Sequence, residues 1–600
     1  MKHFFVVVVT AFLTGSALAA GPTATEERIR RVQEGMVPPV LVQGETPAMQ
    51  SLTARMAELK VPGVSIAVIH EGRIEWARGF GVTRLKGPPV TDQTLFQAAS
   101  ISKPVFALAV LHLVEADKLN LDASVNDYLK DWKLPDNDFT RQSKVTLRGL
   151  LSHSAGLTVH GFPGYAAKAP VPTTVQILDG TPPANTEAIR VDIPPGSQFR
   201  YSGGGYVLAQ QLLHDVTGVP LPKLMHDSVL APLGMTRSTY QQPLPAARAS
   251  EVALPYDGDG KAVKGGPHTY PEMAPAGLWT TPTDLAHYAL GVRAALSGES
   301  KTVISAAIAR AMLTPVIENQ GLGPQVGGKA PRKYFTHAGG NVGYRCLLVA
   351  YEDGEGAIVM TNSDNGGKLM TDVMRTIAHV YQWPDFAPPT RTIAQVKPEL
   401  LERLAGVYAL NEGHTYVLRK VGSGLVGNLL GNAPVALLPS SELELFARDD
   451  NVVVNFTLDE KGKVNAIKHR LNDWELTGSR ADDVRSQQVL ATVEDATRRF
   501  KEQKPLEKTE GALRELLSGL AAGEPNYESM TQPFADFARQ QLPEMKGFIG
   551  SLGAIKKLTF KRVGPEGGDI YNVEFEKGVS NIEMRFGVDG RIDYVRILPN

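Results

Sequence analysis

The pattern of apolar residues changes once along the chain, at Pro388-Pro389, and that break constrains the fold more than any other feature. Before it, stretches with helical spacing alternate with strand-like runs. After it, short apolar runs recur at even intervals between turn residues. The first pattern suits helices packed with a sheet, and the second a small β-barrel or sandwich. The chain therefore reads as several cores in series, for which 600 residues are ample. Cys346 is the only cysteine, so no intrachain disulfide can form and stability rests on those cores. It sits in the apolar run Tyr344-Arg345-Cys346-Leu347-Leu348-Val349, where a buried, inert thiol is expected.

The first residues have the layout of an export signal. Lys2 supplies a positive start, Phe4 to Leu13 is almost wholly apolar, and Ala17-Leu18-Ala19 offers a small-residue cleavage site. Residues 1–19 are thus expected to be removed, giving a periplasmic or secreted protein. The apolar core is too short for a membrane span, and no later segment reaches the roughly 20 apolar residues that a spanning helix needs. A net charge of -1 gives no footprint for nucleic acid or an anionic membrane. The 13 histidines form no His-Glu-x-x-His and no tight cluster with cysteine, so neither a metal nor another cofactor is expected.

Residues 20–390 are expected to form one unit. In it, Val64 to His70 and Arg73 to Phe80 read as a hairpin joined by Glu71-Gly72. Helices are expected over Ser102 to Ala116, Tyr206 to Val216 and Pro282 to Ala295, then strands over Gly343 to Tyr351 and Gly356 to Asn362. Strands at both ends of a helix-rich middle suggest an α/β arrangement closing on one antiparallel sheet. Residues 397–480 hold seven short strand candidates, the last at Val464 to Arg470. A charged connecting segment, Asp482 to Lys508, leads into a small α+β unit within residues 494–600.

Three separated pieces of the first unit carry chemistry. Ser100-Ile101-Ser102-Lys103 precedes a helix, which places Ser100 at a positive helix end and Lys103 one turn away on the same face. A serine hydroxyl is a poor nucleophile until a base takes its proton, and lysine serves only if burial or a neighbouring cation holds it neutral. In isolation the same four residues suit a helix-capping serine with a solvated lysine. Tyr201-Ser202-Gly203 opens a glycine turn, where the Tyr201 phenol could pass a proton between Ser100 and a leaving group, or be a half-buried tyrosine. His337-Ala338-Gly339-Gly340 leads into a strand whose small residues admit a substrate backbone. The N–H groups of Ser100 and Gly340 could then form an oxyanion hole. His337 could bind or orient substrate, aid proton transfer, or be structural.

From about Leu52 to about Gln382 the chain resembles the serine β-lactamase and penicillin-binding-protein-like family, in its class C β-lactamase branch. The matching pieces, in order, begin with Phe96-Gln97-Ala98-Ala99 running into Ser100-Ile101-Ser102-Lys103. Leu150-Leu151-Ser152-His153-Ser154-Ala155-Gly156-Leu157, Tyr201-Ser202-Gly203, Gly277-Leu278-Trp279-Thr280-Thr281-Pro282 and His337-Ala338-Gly339 follow. The resemblance implies a multidomain α/β protein: a β-lactamase-like domain with an antiparallel sheet and a helical subdomain, then a small β-barrel and a small α+β domain. It implies Ser100 as acylated nucleophile, Lys103 and Tyr201 as the proton-transfer pair, and His337, Ala338 and Gly339 as a wall of the substrate site.

Two departures stand out. The family's usual Tyr-x-Asn is here Tyr201-Ser202-Gly203, and the Lys-Thr-Gly of β-lactamases is His337-Ala338-Gly339, which removes a permanent cation. Both argue against efficient β-lactam hydrolysis and leave an esterase or D-amino-acid peptidase. No Gly-x-Ser-x-Gly occurs, against the α/β-hydrolase route. The 397–480 region resembles the lipocalin-like barrels appended to this family, and the region from about Glu494 the nuclear-transport-factor-like domains. The expected partner is a small-molecule or peptide substrate, cell-wall fragments included. A catalytically silent peptide-binding protein of the same fold is the alternative.

Overall fold

The structure, a computed structural model, describes residues 23–598 apart from 423, 431, 433, 472 and 473. The expected export signal, residues 1–19, lies outside the described residues. No helix among the described residues is long and apolar enough to cross a membrane.

Six strands make one antiparallel sheet, in the spatial order Arg73–Gly81, Gly63–His70, Gly356–Thr361, Tyr344–Tyr351, Arg332–Asn341, Gln325–Lys329. The Glu71-Gly72 hairpin forms as expected, with His70 opposite Arg73. The central strands are buried on both faces because helices cover both sides of the sheet. Strand alternation sorts their side chains between two cores. Val64, Ile66 and Val68 meet helices Ala24–Glu34, Leu52–Glu58 and Gly366–Val380. Ala67 and Ile69 face the larger, helix-rich core on the opposite side. Helix Ser102–Glu115 runs through the middle of that core and is apolar almost all round, which suits a helix with neighbours on every side. Helix Gly203–Thr217, entered through the expected glycine turn and capped by Ser202, lies in the same core.

Beyond residue 405 an eight-stranded antiparallel barrel closes on itself. Seven of its strands fall on the runs expected from sequence. The eighth, Trp474–Arg480, falls outside them, and it is the one that pairs with Gly406–Leu410 to close the barrel. Its sequence hides it, because only Leu476 points inward. Gly478 is required by the closure: a Cβ there would stand 2.0 Å from Ala409 O. The lumen is filled by side chains, among them Tyr408, Tyr416, Leu445 and Phe456, as small barrels require.

The charged segment after the barrel, which by sequence alone is a connector, holds the 20-residue helix Asp483–Glu502, N-capped by Asp482. Its narrow apolar stripe, Val489 with Leu490 and Val493, packs on Val407, Val417 and Leu430 of the barrel. At its far end the buried Arg499 pairs with Asp569 at 2.7 Å. The last region is a four-stranded meander, Ile555–Val563 to Ile592–Leu598, covered by helices Thr509–Ala522 and Gln532–Leu552 around one core.

The hydrolase-like unit and the barrel are joined by more than a linker. Leu41–Val42 pairs in parallel with Thr390–Arg391, so the entry to the first unit lies beside its exit. Val40 packs on Phe446 and Val453 of the barrel, Arg391 pairs with Glu444 at 2.9 Å, and Arg448 pairs with Glu45. Leu445 lies in the lumen fully buried. Leu445→Ala should destabilise the barrel by about 2–5 kcal/mol, the usual cost of such a cavity. Denaturant unfolding measures it, and an unchanged midpoint would mean the barrel is not a packed core.

Candidate active site

The floor of the site is a close contact between two segments some 240 residues apart. Strand Arg332–Asn341 has the Gln325–Lys329 neighbour only as far as Thr336, so 337–341 run on as an edge beside the turn Ala99–Ile101. At Gly339 the strand touches that turn. An added Cβ would stand 2.4 Å from Ala98 O and 2.5 Å from Cys346 Sγ, so only glycine fits. The buried Cys346 thiol donates to Ala98 O at 3.0 Å, and Asn341 Nδ2 donates to Gln97 Oε1 at 2.8 Å. Ala99 is held at φ 47°, a left-handed conformation costly for a residue with a Cβ. These ties present Ser100 at the start of the Ser102–Glu115 helix, half-buried with its side chain reachable.

Lys103 Nζ lies 3.0 Å from Ser100 Oγ and 3.1 Å from Pro275 O. The amine is buried with no carboxylate partner among the described residues, and that burial lowers its pKa to about 7. It stands 4.8 Å from the centre of the Tyr201 ring. Tyr201 in turn hydrogen-bonds with Ser100. Burial raises the Tyr201 phenol well above its ordinary pKa, and the bond with Ser100 offsets only part of that. With Lys103 itself neutral, no cation among the described residues beside the ring holds a phenolate, and the ring stays a neutral phenol. Between Lys103 and Tyr201, the lysine is the group that can be an unprotonated base near neutral pH.

The structure thus brings Ser100, Lys103 and Tyr201 together. His337 is buried 6.3 Å from the Tyr201 ring, and burial with the nearby Lys103 lowers its pKa to about 3. Its Nδ1 sits 2.6 Å from Ala338 O, which fixes the proton there and leaves a neutral imidazole. Ala338 and Gly340 lie exposed along the strand, whereas Gly339 is buried against the turn. The wall therefore carries no permanent charge at the position where the family's lysine would stand.

Sequence reasoning does not single out His153. It belongs to the Leu150–Leu157 motif, to which no role attaches from spacing. Its ring stacks under Tyr201 at 4.1 Å, and its Nδ1 accepts the Ser202 N–H at 3.0 Å. Burial holds it neutral, well below its ordinary pKa. A histidine at φ 57° just after a short helix is the available signal, because few residues other than glycine, asparagine, aspartate and histidine tolerate that conformation.

This arrangement is that of a serine hydrolase whose base is a buried lysine. A model of the Beta-lactamase family matches residues 49–382, more than half of the chain, and the chain belongs to that family. Penicillin-binding protein 4* of Bacillus subtilis (strain 168) is 23% identical over 448 residues, covering 70% of this chain and 95% of that protein. Esterase EstB of Burkholderia gladioli is 30% identical over 219 residues, covering 35% of this chain and 54% of that protein. The octameric penicillin-binding protein homologue from Pyrococcus abyssi superposes with a TM-score of 0.47 at 23% identity, covering 71% of this chain and 98% of that one.

Gly339→Ala should push the strand off the Ser100 turn. Turnover should fall on the order of 100-fold, the scale of a lost oxyanion donor, with secondary structure kept. Circular dichroism beside ester turnover tests this, and full activity would show that the contact does not set the cleft.

Proposed function

We propose that this chain is an exported serine hydrolase that forms an acyl-enzyme at Ser100 and cleaves esters or amides. The observation that carries the reading is the single contact set of Lys103 Nζ, Ser100 Oγ and the Tyr201 phenol. Neutral Lys103 takes the Ser100 proton as Oγ bonds to the acyl carbon, and the carbonyl oxygen gains the negative charge. The N–H groups of Ser100 and Gly340 receive that oxyanion. As the bond to the leaving group breaks, Tyr201 gives its proton to that group and regains one from the Lys103 ammonium. Water then attacks the ester at Ser100 along the reverse proton path, releasing the acid and restoring the hydroxyl.

The uncharged wall at His337 and Ala338 favours substrates without a carboxylate beside the scissile bond. The similarity to an esterase supports the ester reading, and the similarity to a penicillin-binding protein supports an amide or peptide one. The export layout of residues 1–19 supports a periplasmic or secreted setting. The barrel and the last α+β region lie outside the matched segment and are proposed as separate units appended to the catalytic one.

Two outcomes follow. A fluorophosphonate probe should label Ser100 in peptide mapping, and Ser100→Ala should abolish p-nitrophenyl ester turnover with the fold intact. An unlabelled Ser100 together with no turnover would favour a silent peptide-binding protein. The pH profile should carry the lysine's signature: kcat/KM falls as pH drops below about 7, where Lys103 gains the proton that disables it as a base. A flat profile through that range would remove Lys103 from the base role.

A further inference from the structure

The largest cavity in the molecule lies far from Ser100 in sequence, where the barrel, the Asp483–Glu502 helix and the last α+β region meet. It has a volume of about 1260 Å³, above the roughly 300–1,000 Å³ usual for drug-sized ligands. Most charges around it are matched. Arg499 pairs with Asp569 and Asp495, Arg585 with Asp593, and Arg591 with Asp589. Lys508 rests on Gly590 O and on the Phe586 ring, 3.9 Å from its centre.

Three lining groups are left without a hydrogen-bond or ion-pair partner among the described residues: the side chains of Arg419, Arg485 and Glu566. Arg419 Nε is buried and unsatisfied, a costly state for a charged donor. Both arginines stand around one packing contact. Val417 and Val489 share a small core; Arg419 is the next residue on that face of its strand, and Arg485 is one turn earlier on the same face of its helix. Glu566 is at the other end. Its turn packs against the helix at Ala496, where a Cβ added to Gly567 would meet Ala496 Cβ at 2.4 Å. Burial and the nearby Glu583 hold the Glu566 carboxyl above its usual range.

From Arg485 to Ala496 the helix climbs about three turns, roughly 16 Å. An extended peptide covers that span in about five residues. Two unmatched guanidinium groups at one end and one unmatched carboxylate at the other fit a ligand with opposite charges at its two ends. The near balance of the remaining charges disfavours a polyanion such as a nucleic acid or polyphosphate. Half-exposed Trp474 adds an aromatic wall. We propose that this cavity binds a free-ended oligopeptide of about five residues, its carboxylate on Arg419 and Arg485 and its ammonium on Glu566. The site stands apart from the Ser100 cleft and does not depend on the chemistry proposed there.

The test is calorimetric titration of penta-L-alanine into the full chain carrying Ser100→Ala, which suppresses hydrolysis. Saturable binding should weaken at least tenfold on C-terminal amidation of the peptide and equally in Arg419→Ala/Arg485→Ala. The amidated peptide should bind that double variant and its parent alike. N-acetylation and Glu566→Gln should each weaken binding several-fold. Arg485→Gln alone, on an exposed helix face, covers the case in which the double variant fails to fold, and should also weaken binding. Absence of saturable binding at millimolar peptide, affinity indifferent to the arginine variants, or inorganic phosphate competing as well as the peptide would each overturn the proposal.

Discussion

The chemistry of this molecule depends on one short approach, that of Gly339 to the backbone of Ala98 and Ala99. A sheet strand and a helix start are brought within van der Waals distance because no side chain intervenes. Everything at the cleft is referenced to that contact. It sets Ser100 beside a strand edge, and the Cys346 thiol and Asn341 amide fasten the turn from behind. The cysteine expected to be inert is thus chemically quiet but structurally engaged, because it satisfies a carbonyl that the glycine contact would otherwise strand.

The second constraint is electrostatic. Lys103 is placed where water cannot solvate an ammonium, and no carboxylate among the described residues compensates. The usual remedy for a buried cation is to lose the proton, which is also what a general base requires. The aromatic shell serves the same end. Tyr201, His153 and His337 are all neutral and surround the amine with polarisable rings that contribute no opposing charge. Replacing the family's lysine by His337 removes a cation that would otherwise depress the Lys103 pKa further, so desolvation does the tuning alone.

Much of this architecture is legible in the amino-acid sequence. The hairpin at Glu71-Gly72, the core helix from Ser102 and seven of the eight barrel strands carry strong periodicity because each buries a full face. The elements that hide in the sequence bury little. Trp474–Arg480 inserts one leucine into the lumen and otherwise contributes hydrogen bonds, which leave no hydropathy trace. The Asp483–Glu502 helix touches the barrel through a stripe of three residues and spends the rest of its surface on charge. At the site, the Ser100, Lys103 and Tyr201 grouping follows from motif chemistry. The part played by His153 depends on ring stacking between two loops, and spacing along a chain cannot encode that.

The parallel pair of Leu41–Val42 with Thr390–Arg391 has a topological consequence. It seats the two gateways of the catalytic unit side by side, so the cleft is built inside a loop of chain that is tied off at its neck. Whatever is spliced on after the knot adds mass at one corner and leaves the register of the six-stranded sheet untouched. A unit with that layout can gain or shed C-terminal modules over evolutionary time as a plug-in, with the reactive serine insulated from the change.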